Sequence, residues 1–215
     1  MNRRLLAELG LACVLGFVLL VIAQSLSTAL DAAGVQAAAA LRTAGVTRAM
    51  QAISWLGSGD AQFPFAFGLA GFFLWRRRKR QAAQYLGWGF AGWVVWALLK
   101  ILIHRTRPRL VEHLSGAGWW SFPSGHAMLA PIVYVFAVVL LEPEIRNKTA
   151  WRILLGLSWV FAALIAFSRV YLGVHYPTDV IAGLLAGSAW LAFSTAMTRE
   201  KEPEARPRHR PGAAS

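Results

Sequence analysis

Of 215 residues, 57% are hydrophobic and only 15% are charged, and the apolar runs are too long and too uniform for a soluble core, so a polytopic membrane protein is expected. A net charge of +12 would ordinarily raise nucleic acid as a partner. Here the excess sits in short loops and the C-terminal segment, so anionic lipid headgroups are the expected partners and nucleic acid is not. The single cysteine, Cys13, excludes an intramolecular disulfide and a cysteine-based metal site, and is read as a buried apolar thiol.

In chain order, the first apolar run predicts a membrane helix over residues 5–26. Asn2 to Arg4 before it, with Ser27 and Ala29 after it, also suit a signal peptide, but the run exceeds a usual signal core and an uncleaved span is expected. Residues 25–59 form the longest external segment. Val35, Leu41, Val46, Met50, Ile53 and Trp55 recur there at partly helical spacing, which fits either an interfacial amphipathic helix or an alanine-rich helical loop. A second span at 61–75 falls below the ~20 residues of a straight crossing and is expected to start nearer Ser58. Further spans are predicted at 82–103, 126–141, 151–167 and 177–197. Trp55, Trp75, Trp88, Trp119, Trp120 and Trp151 fall near span ends, as interfacial aromatics do. The expected fold is an all-α bundle of six transmembrane helices forming one domain over 1–198. Residues 199–215, rich in Pro, Arg and Glu, read as a disordered basic cytoplasmic tail.

Charge sets the orientation. With both termini cytoplasmic, most of the 22 Lys and Arg residues fall inside: Arg3, Arg4, residues 76–80, Arg146, Lys148, Arg152 and the tail. Arg42, Arg48, Lys100, Arg105, Arg107, Arg109 and Arg169 are left on the external face, which for a bacterial inner membrane is the periplasmic one.

Three stretches on that face carry the chemistry: Lys100 with Arg107 and Pro108; Pro123, Ser124, Gly125 and His126; and Ser168 and Arg169 followed by His175 and Asp179. Taken singly, Lys100 is a snorkelling lysine, Ser124 and Gly125 are a helix cap, and either histidine is structural. Together they hold three cations, two histidines, a carboxylate and a Ser-Gly turn, the parts that grip a phosphoryl group and move it onto an imidazole. Arg107 and Arg169 lie outside against the orientation bias, and a guanidinium fork suits phosphate oxygens. With Pro177 at the first helical position, Asp179 falls near the third, from which its carboxylate reaches back toward His175. It would fix the tautomer and leave the other ring nitrogen of His175 free to attack phosphorus. His126 is then the general acid and base. Arg105 and Arg109 are read as surface or headgroup charges, His104, His113 and His209 as bystanders, and Asp31, Asp60 and Glu112 as unclustered acids. No metal or other cofactor is called for, since three fixed cations neutralise the developing charge.

These stretches resemble the three signature motifs of the type 2 phosphatidic acid phosphatase superfamily, integral-membrane lipid phosphatases with soluble relatives among the vanadium haloperoxidases. All three stand in family order between Lys100 and Asp179. The resemblance implies that His175 attacks, Asp179 orients it, His126 transfers protons, and Lys100, Arg107, Ser124, Gly125 and Arg169 hold the phosphate. It implies a lipid phosphate as substrate: phosphatidic acid, phosphatidylglycerol phosphate, lipid A phosphates or undecaprenyl pyrophosphate, the last being the first choice for a short bacterial-type chain. A phosphotransferase with a non-water acceptor, a haloperoxidase-like vanadate binder and a non-enzymatic binding protein are the competing classes. Oligomeric state is not readable from the sequence.

Overall fold

Uninterrupted runs of Leu, Val, Ala and Phe with few breakers leave the backbone one way to satisfy its hydrogen bonds in lipid, and the chain is accordingly helical. The computed structural model describes residues 3–24 and 26–199. In chain order these form α1 (Arg3–Ala23), α2 (Thr28–Ala40), α3 (Ala44–Leu56), α4 (Gly59–Trp75) and α5 (Lys79–Leu102). There follow α6 (Gly125–Ala130), a π-helical turn (Pro131–Val135), α7 (Phe136–Leu140), a short 3-10 turn (Glu142–Glu144), α8 (Lys148–Tyr171) and α9 (Pro177–Arg199). No strand occurs among the described residues. The tail expected to be disordered lies, from residue 200 onward, outside the described residues.

Five helical segments are long and apolar enough to cross a bilayer: Arg3–Ala23, Lys79–Leu102, Gly125–Glu144, Lys148–Tyr171 and Pro177–Thr198. The chain is an integral membrane protein, and its outward faces match lipid, with Leu11, Leu19 and Ile22 of α1 each at least 60% exposed. The expected count of six is met only in part. α4 has 17 residues and carries Pro64 in its first half, short of a straight crossing. It does begin beside Ser58, as its composition suggested.

Residues 26–59, read as an interfacial amphipathic helix or an alanine-rich helical loop, are helical and form two packed helices. They fold into α2 and α3, both packed on α8. Val35 and Ala38 of α2 are buried against Ala127, Ala166, Val170 and Val180. Thr43 caps α3 by accepting from the Val46 amide at 3.3 Å. Cys13, expected to be buried, is half-buried on α1. Trp88, expected at a span end, packs inside α5 edge-on against Trp190 and Phe193.

The central fourth segment is held by close approach rather than bulk. Gly183 and Gly187 lie one turn apart on α9, facing α6. A Cβ on Gly183 would stand 2.6 Å from the Ser124 carbonyl oxygen and 2.9 Å from Ala127 Cβ, while one on Gly187 would strike the Met128 backbone. This small-xxx-small spacing lets two backbones meet in a medium that gives no hydrophobic drive for helix association. Further along, Pro131 has no N–H for an α-helical bond, and the Phe136 amide bonds instead to the Pro131 carbonyl, opening the π turn.

The two ends of the bundle are chemically distinct. Arg76 and Arg78, between α4 and α5, pair with Glu144 at 2.8 and 2.6 Å, and Arg80 donates to the Thr198 carbonyl at 3.0 Å. At the other end the α5 C-terminus, the α6 N-terminus, the α8 C-terminus and the α9 N-terminus gather all three motifs. Replacing Gly183 by Val should lower stability by about 1–3 kcal/mol through overpacking. Thermal unfolding in detergent checks this, with Gly68→Val as a control, because nothing lies within 4 Å of a Cβ there.

Candidate active site

Local geometry delivers each side chain. α8 ends in a Schellman turn: the Gly173 amide bonds to the Val170 carbonyl, the Val174 amide to the Arg169 carbonyl, and Gly173 takes φ +79. The reversal sets Arg169 on the last turn of α8 and carries the chain straight to His175. Pro177 then opens α9, with Asp179 at its third position. As the spacing predicted, the Asp179 Oδ2 accepts the Tyr176 amide at 2.9 Å, closing the helix start. The Ser124 amide donates to the Asp179 carbonyl at 3.0 Å, which ties the second motif to the third.

His175 is 2% exposed and sits between opposite charges. Its Nδ1 lies 3.4 Å from Asp179 Oδ2 and 3.4 Å from Ser121 Oγ, while its Nε2 is 3.1 Å from an Arg107 guanidinium nitrogen. A guanidinium only donates, so the lone pair is assigned to Nε2 and the proton to Nδ1, facing the carboxylate. Burial pushes the imidazole down from its ordinary value to about 4, with Arg107 and Arg169 adding to the shift against the upward pull of Asp179. The ring is therefore neutral at pH 7.

Three cations gather around this cluster. Lys100 is buried at the end of α5, donating to the Pro123 carbonyl at 3.2 Å, its ammonium 5.4 Å from the Trp96 ring centroid. Arg107 donates to the carbonyls of Val174 at 2.7 Å and Gly118 at 2.6 Å. Arg169 donates to Ser54 Oγ at 2.5 Å and Ser115 Oγ at 2.9 Å, and its Nε is buried with no partner among the described residues. Ser124 stands at the N-cap of α6 but does not cap it. Its hydroxyl is wholly buried and likewise unpartnered. Gly125 lies against Trp96, where a Cβ would come within 2.7 Å of the indole. His126, in the first turn of α6, hydrogen-bonds to the Ser54 backbone. All eight residues singled out in the sequence thus collect at one end of the bundle.

Sequence reasoning missed a second layer. Arg105, read as a surface charge, is largely buried and bridges two carboxylates, donating to Asp179 Oδ1 at 2.6 Å and Asp31 Oδ2 at 2.5 Å. It also lies over the Tyr176 ring at 4.4 Å. Asp31, read as an unclustered external acid, is 1% exposed and accepts from the Thr178 amide and hydroxyl at 3.0 and 2.6 Å. Ser121 donates to Asp179 Oδ2 at 2.5 Å. Two signals were present: Arg105, like Arg107, was expected on the external face against the charge bias, and Asp31 is the one acid in an alanine-rich helix, where an ionised group needs a partner. Asp60, Glu112 and Arg109 are exposed, as expected. His104 packs edge-on against Trp120 and His113 bonds to the Pro108 carbonyl, both outside the cluster; His209 lies outside the described residues.

A lipid-embedded helical bundle with this histidine and cation cluster at one end defines a membrane protein built to hold an anion against an imidazole. Residues 85–203 match the PAP2 superfamily, and the chain belongs to it, as the motif resemblance implied. Among its relatives is the phosphatidylglycerophosphatase B of Bacillus subtilis, 33% identical over 162 residues that make up 73% of this chain and 77% of that one. The undecaprenyl-diphosphatase of Sulfolobus acidocaldarius is 43% identical over 84 residues, covering 39% of this chain and only 36% of that one. The crystal structure of the transmembrane PAP2-type phosphatidylglycerolphosphate phosphatase from Bacillus subtilis superposes with a TM-score of 0.84 at 26% identity, over 94% of this chain and 98% of that one.

Two outcomes follow from this geometry. A 15N-histidine titration in detergent, with His175 identified by its loss in H175Q, should give a midpoint near 4. Below that pH the imidazole gains its proton; a midpoint at or above 6.5 would contradict the burial argument. Arg105→Met leaves two buried carboxylates without their shared cation and should cost about 3–5 kcal/mol, whereas Arg4→Met, which loses an exposed pair with Glu8, should cost at most about 1 kcal/mol. Thermal unfolding of the two variants side by side measures the difference.

Proposed function

We propose that this chain is a membrane lipid phosphatase that hydrolyses a phosphate monoester or pyrophosphate of a lipid through a phosphohistidine, with its site on the outer face of the membrane. The observation that carries the reading is the convergence on one buried point of the His175 Nε2 lone pair, three cations and two unpartnered polar atoms, Ser124 Oγ and Arg169 Nε. A phosphoryl group supplies what these groups lack: negative charge for the cations and acceptor oxygens for the orphaned donors.

In the first step Nε2 of His175 forms a bond to phosphorus while the bond to the leaving oxygen breaks. Asp179, on the Nδ1 side, stabilises the imidazolium that results. His126 gives its proton to the leaving oxygen. In the second step His126 takes a proton from water, the water oxygen bonds to phosphorus, and the P–N bond breaks to regenerate His175 and release inorganic phosphate. Lys100, Arg107 and Arg169 neutralise the equatorial oxygens in both steps, so no metal is assigned a part.

The charge bias of the loops supports an outward-facing site with both termini cytoplasmic: Arg76, Arg78 and Arg80 cluster at the end opposite the motifs. The names of the relatives support both a glycerophospholipid monoester and undecaprenyl pyrophosphate as substrates.

Phosphate release in detergent with chelator present, from phosphatidic acid and undecaprenyl pyrophosphate side by side, tests the proposal. The native protein should release phosphate from at least one lipid, and His175→Ala should lose at least about a thousandfold in rate. Full turnover by folded H175A, or loss of all native turnover in chelator, would overturn it.

A further inference from the structure

The buried stripe of α2 holds one charge. Asp31, Val35 and Ala38 recur at helical spacing and are buried, with Gly34 between them on the same face. This stripe lies on the first turn of α9. A Cβ on Gly34 would stand 2.5 Å from Pro177 Cγ, so the two helices touch there. Asp31 Oδ1 accepts the Thr178 amide at 3.0 Å, and its Oδ2 accepts the Thr178 hydroxyl at 2.6 Å. That amide is among the first four of α9, which have no acceptor inside their own helix. Its cap comes from a carboxylate 147 residues earlier in the chain.

The same carboxylate anchors Arg105. One terminal nitrogen of the guanidinium, Nη1, donates to Asp179 Oδ1 at 2.6 Å and to Thr178 Oγ1 at 2.7 Å, while Nη2 donates to Asp31 Oδ2 at 2.5 Å. Asp31, Thr178 and Arg105 thus close a ring of hydrogen bonds, and the bond that leaves the ring is the grip on Asp179. A long arginine side chain keeps several rotamers unless its fork is held, and Asp31 holds the end that Asp179 does not. With Oδ1 of Asp179 taken by Arg105, Oδ2 is the oxygen that faces Ser121, the Tyr176 amide and Nδ1 of His175. The partners of the Asp31 carboxylate among the described residues are Ser27, Thr178 and Arg105, and the three cations assigned to phosphate are not among them. Asp31 also precedes residues 85–203, the stretch that matches the family and holds all three motifs.

Given the proposed function, on which this inference rests, we propose that Asp31 is a positioning residue for the reaction. By holding Arg105 and the first turn of α9, it fixes the Asp179 carboxylate against Nδ1 of His175. In this way α2 completes the site without touching the phosphate. The Asp179 carboxylate matters most when Nε2 bonds phosphorus and the ring becomes an imidazolium, so misplacing it lowers kcat. Ground-state affinity, set by Lys100, Arg107 and Arg169, stays as it was.

The test measures kcat and KM per folded protein in detergent, on whichever of phosphatidic acid and undecaprenyl pyrophosphate the native protein turns over faster. Asp31→Asn should lower kcat by roughly ten- to a hundredfold with KM within about twofold. In an Asp179→Asn background the same substitution should cost less than about threefold, because its effect runs through the carboxylate already lost. Thr178→Val keeps the capped amide but removes the hydroxyl shared by Asp31 and Arg105, and should show the same pattern at smaller amplitude. The two variants alter different helices, so either that folds delivers the comparison. Native kcat in folded Asp31→Asn, a raised KM at unchanged kcat, or an equal loss in both backgrounds, as a merely structural part would give, would overturn the assignment while leaving the phosphatase reading intact. Release from neither lipid by the native protein would instead remove the phosphatase reading and the inference with it.

Discussion

Asp179 has no exposed surface, and an ionised carboxylate survives there because donors close on it from every side. Ser121 and the Tyr176 amide bond one oxygen, Arg105 bonds the other, and the Nδ1 of His175 faces it. Its backbone carbonyl meanwhile holds the Ser124 amide. Through this one residue the start of α9, the loop after α5, the start of α6 and His175 become a single unit. Arg105 extends the unit to Asp31 on α2, so α2 is tied to the motif end of the bundle by charge as well as by apolar packing. A buried carboxylate of this kind gives little net stability, because desolvation cancels much of its attraction. Its use is positional.

The bilayer explains why such a cluster stays where it is. Polar groups placed in hydrocarbon must face the protein interior and satisfy one another, so the cations at the ends of α5 and α8 turn inward. Lys100, Arg107 and Arg169 repel each other, and the fixed anions in reach, Asp179 and Asp31, are already shared with Arg105. That leaves an excess of positive charge around the Nε2 of His175, which suits an anion, while burial, helped by Arg107 and Arg169, keeps the imidazole neutral.

Much of this was legible in the chain. Hydropathy set the long helices to within a few residues, and the three motifs gave every residue of the inner cluster, because charged side chains beside apolar runs have few roles open to them. The capping geometry of Asp179 followed from a proline two residues before it. The second layer was harder to read. Arg105 looked like one more external charge, and only the docking of α2 brings Asp31 to it. Ser121 and Ser54 carry no pattern at all, since a serine in a loop reads the same whether it touches solvent or a buried arginine. The reading of Ser124 as a cap failed for a related reason: position at a helix start was visible, but the direction of its hydroxyl depends on what surrounds it.

Sequence by itself determined the solvent, the helical class, the family and the chemical parts of the site, because each depends on composition or on spacing along one element. Tertiary structure decided the rest: the docking of α2 and α3 over the site, the shared Arg105 between two carboxylates, and the close seam at Gly183 and Gly187. Those features arise between elements far apart in the chain. Burial, and with it the protonation state of His175, depends on which neighbours arrive, and no local pattern encodes them.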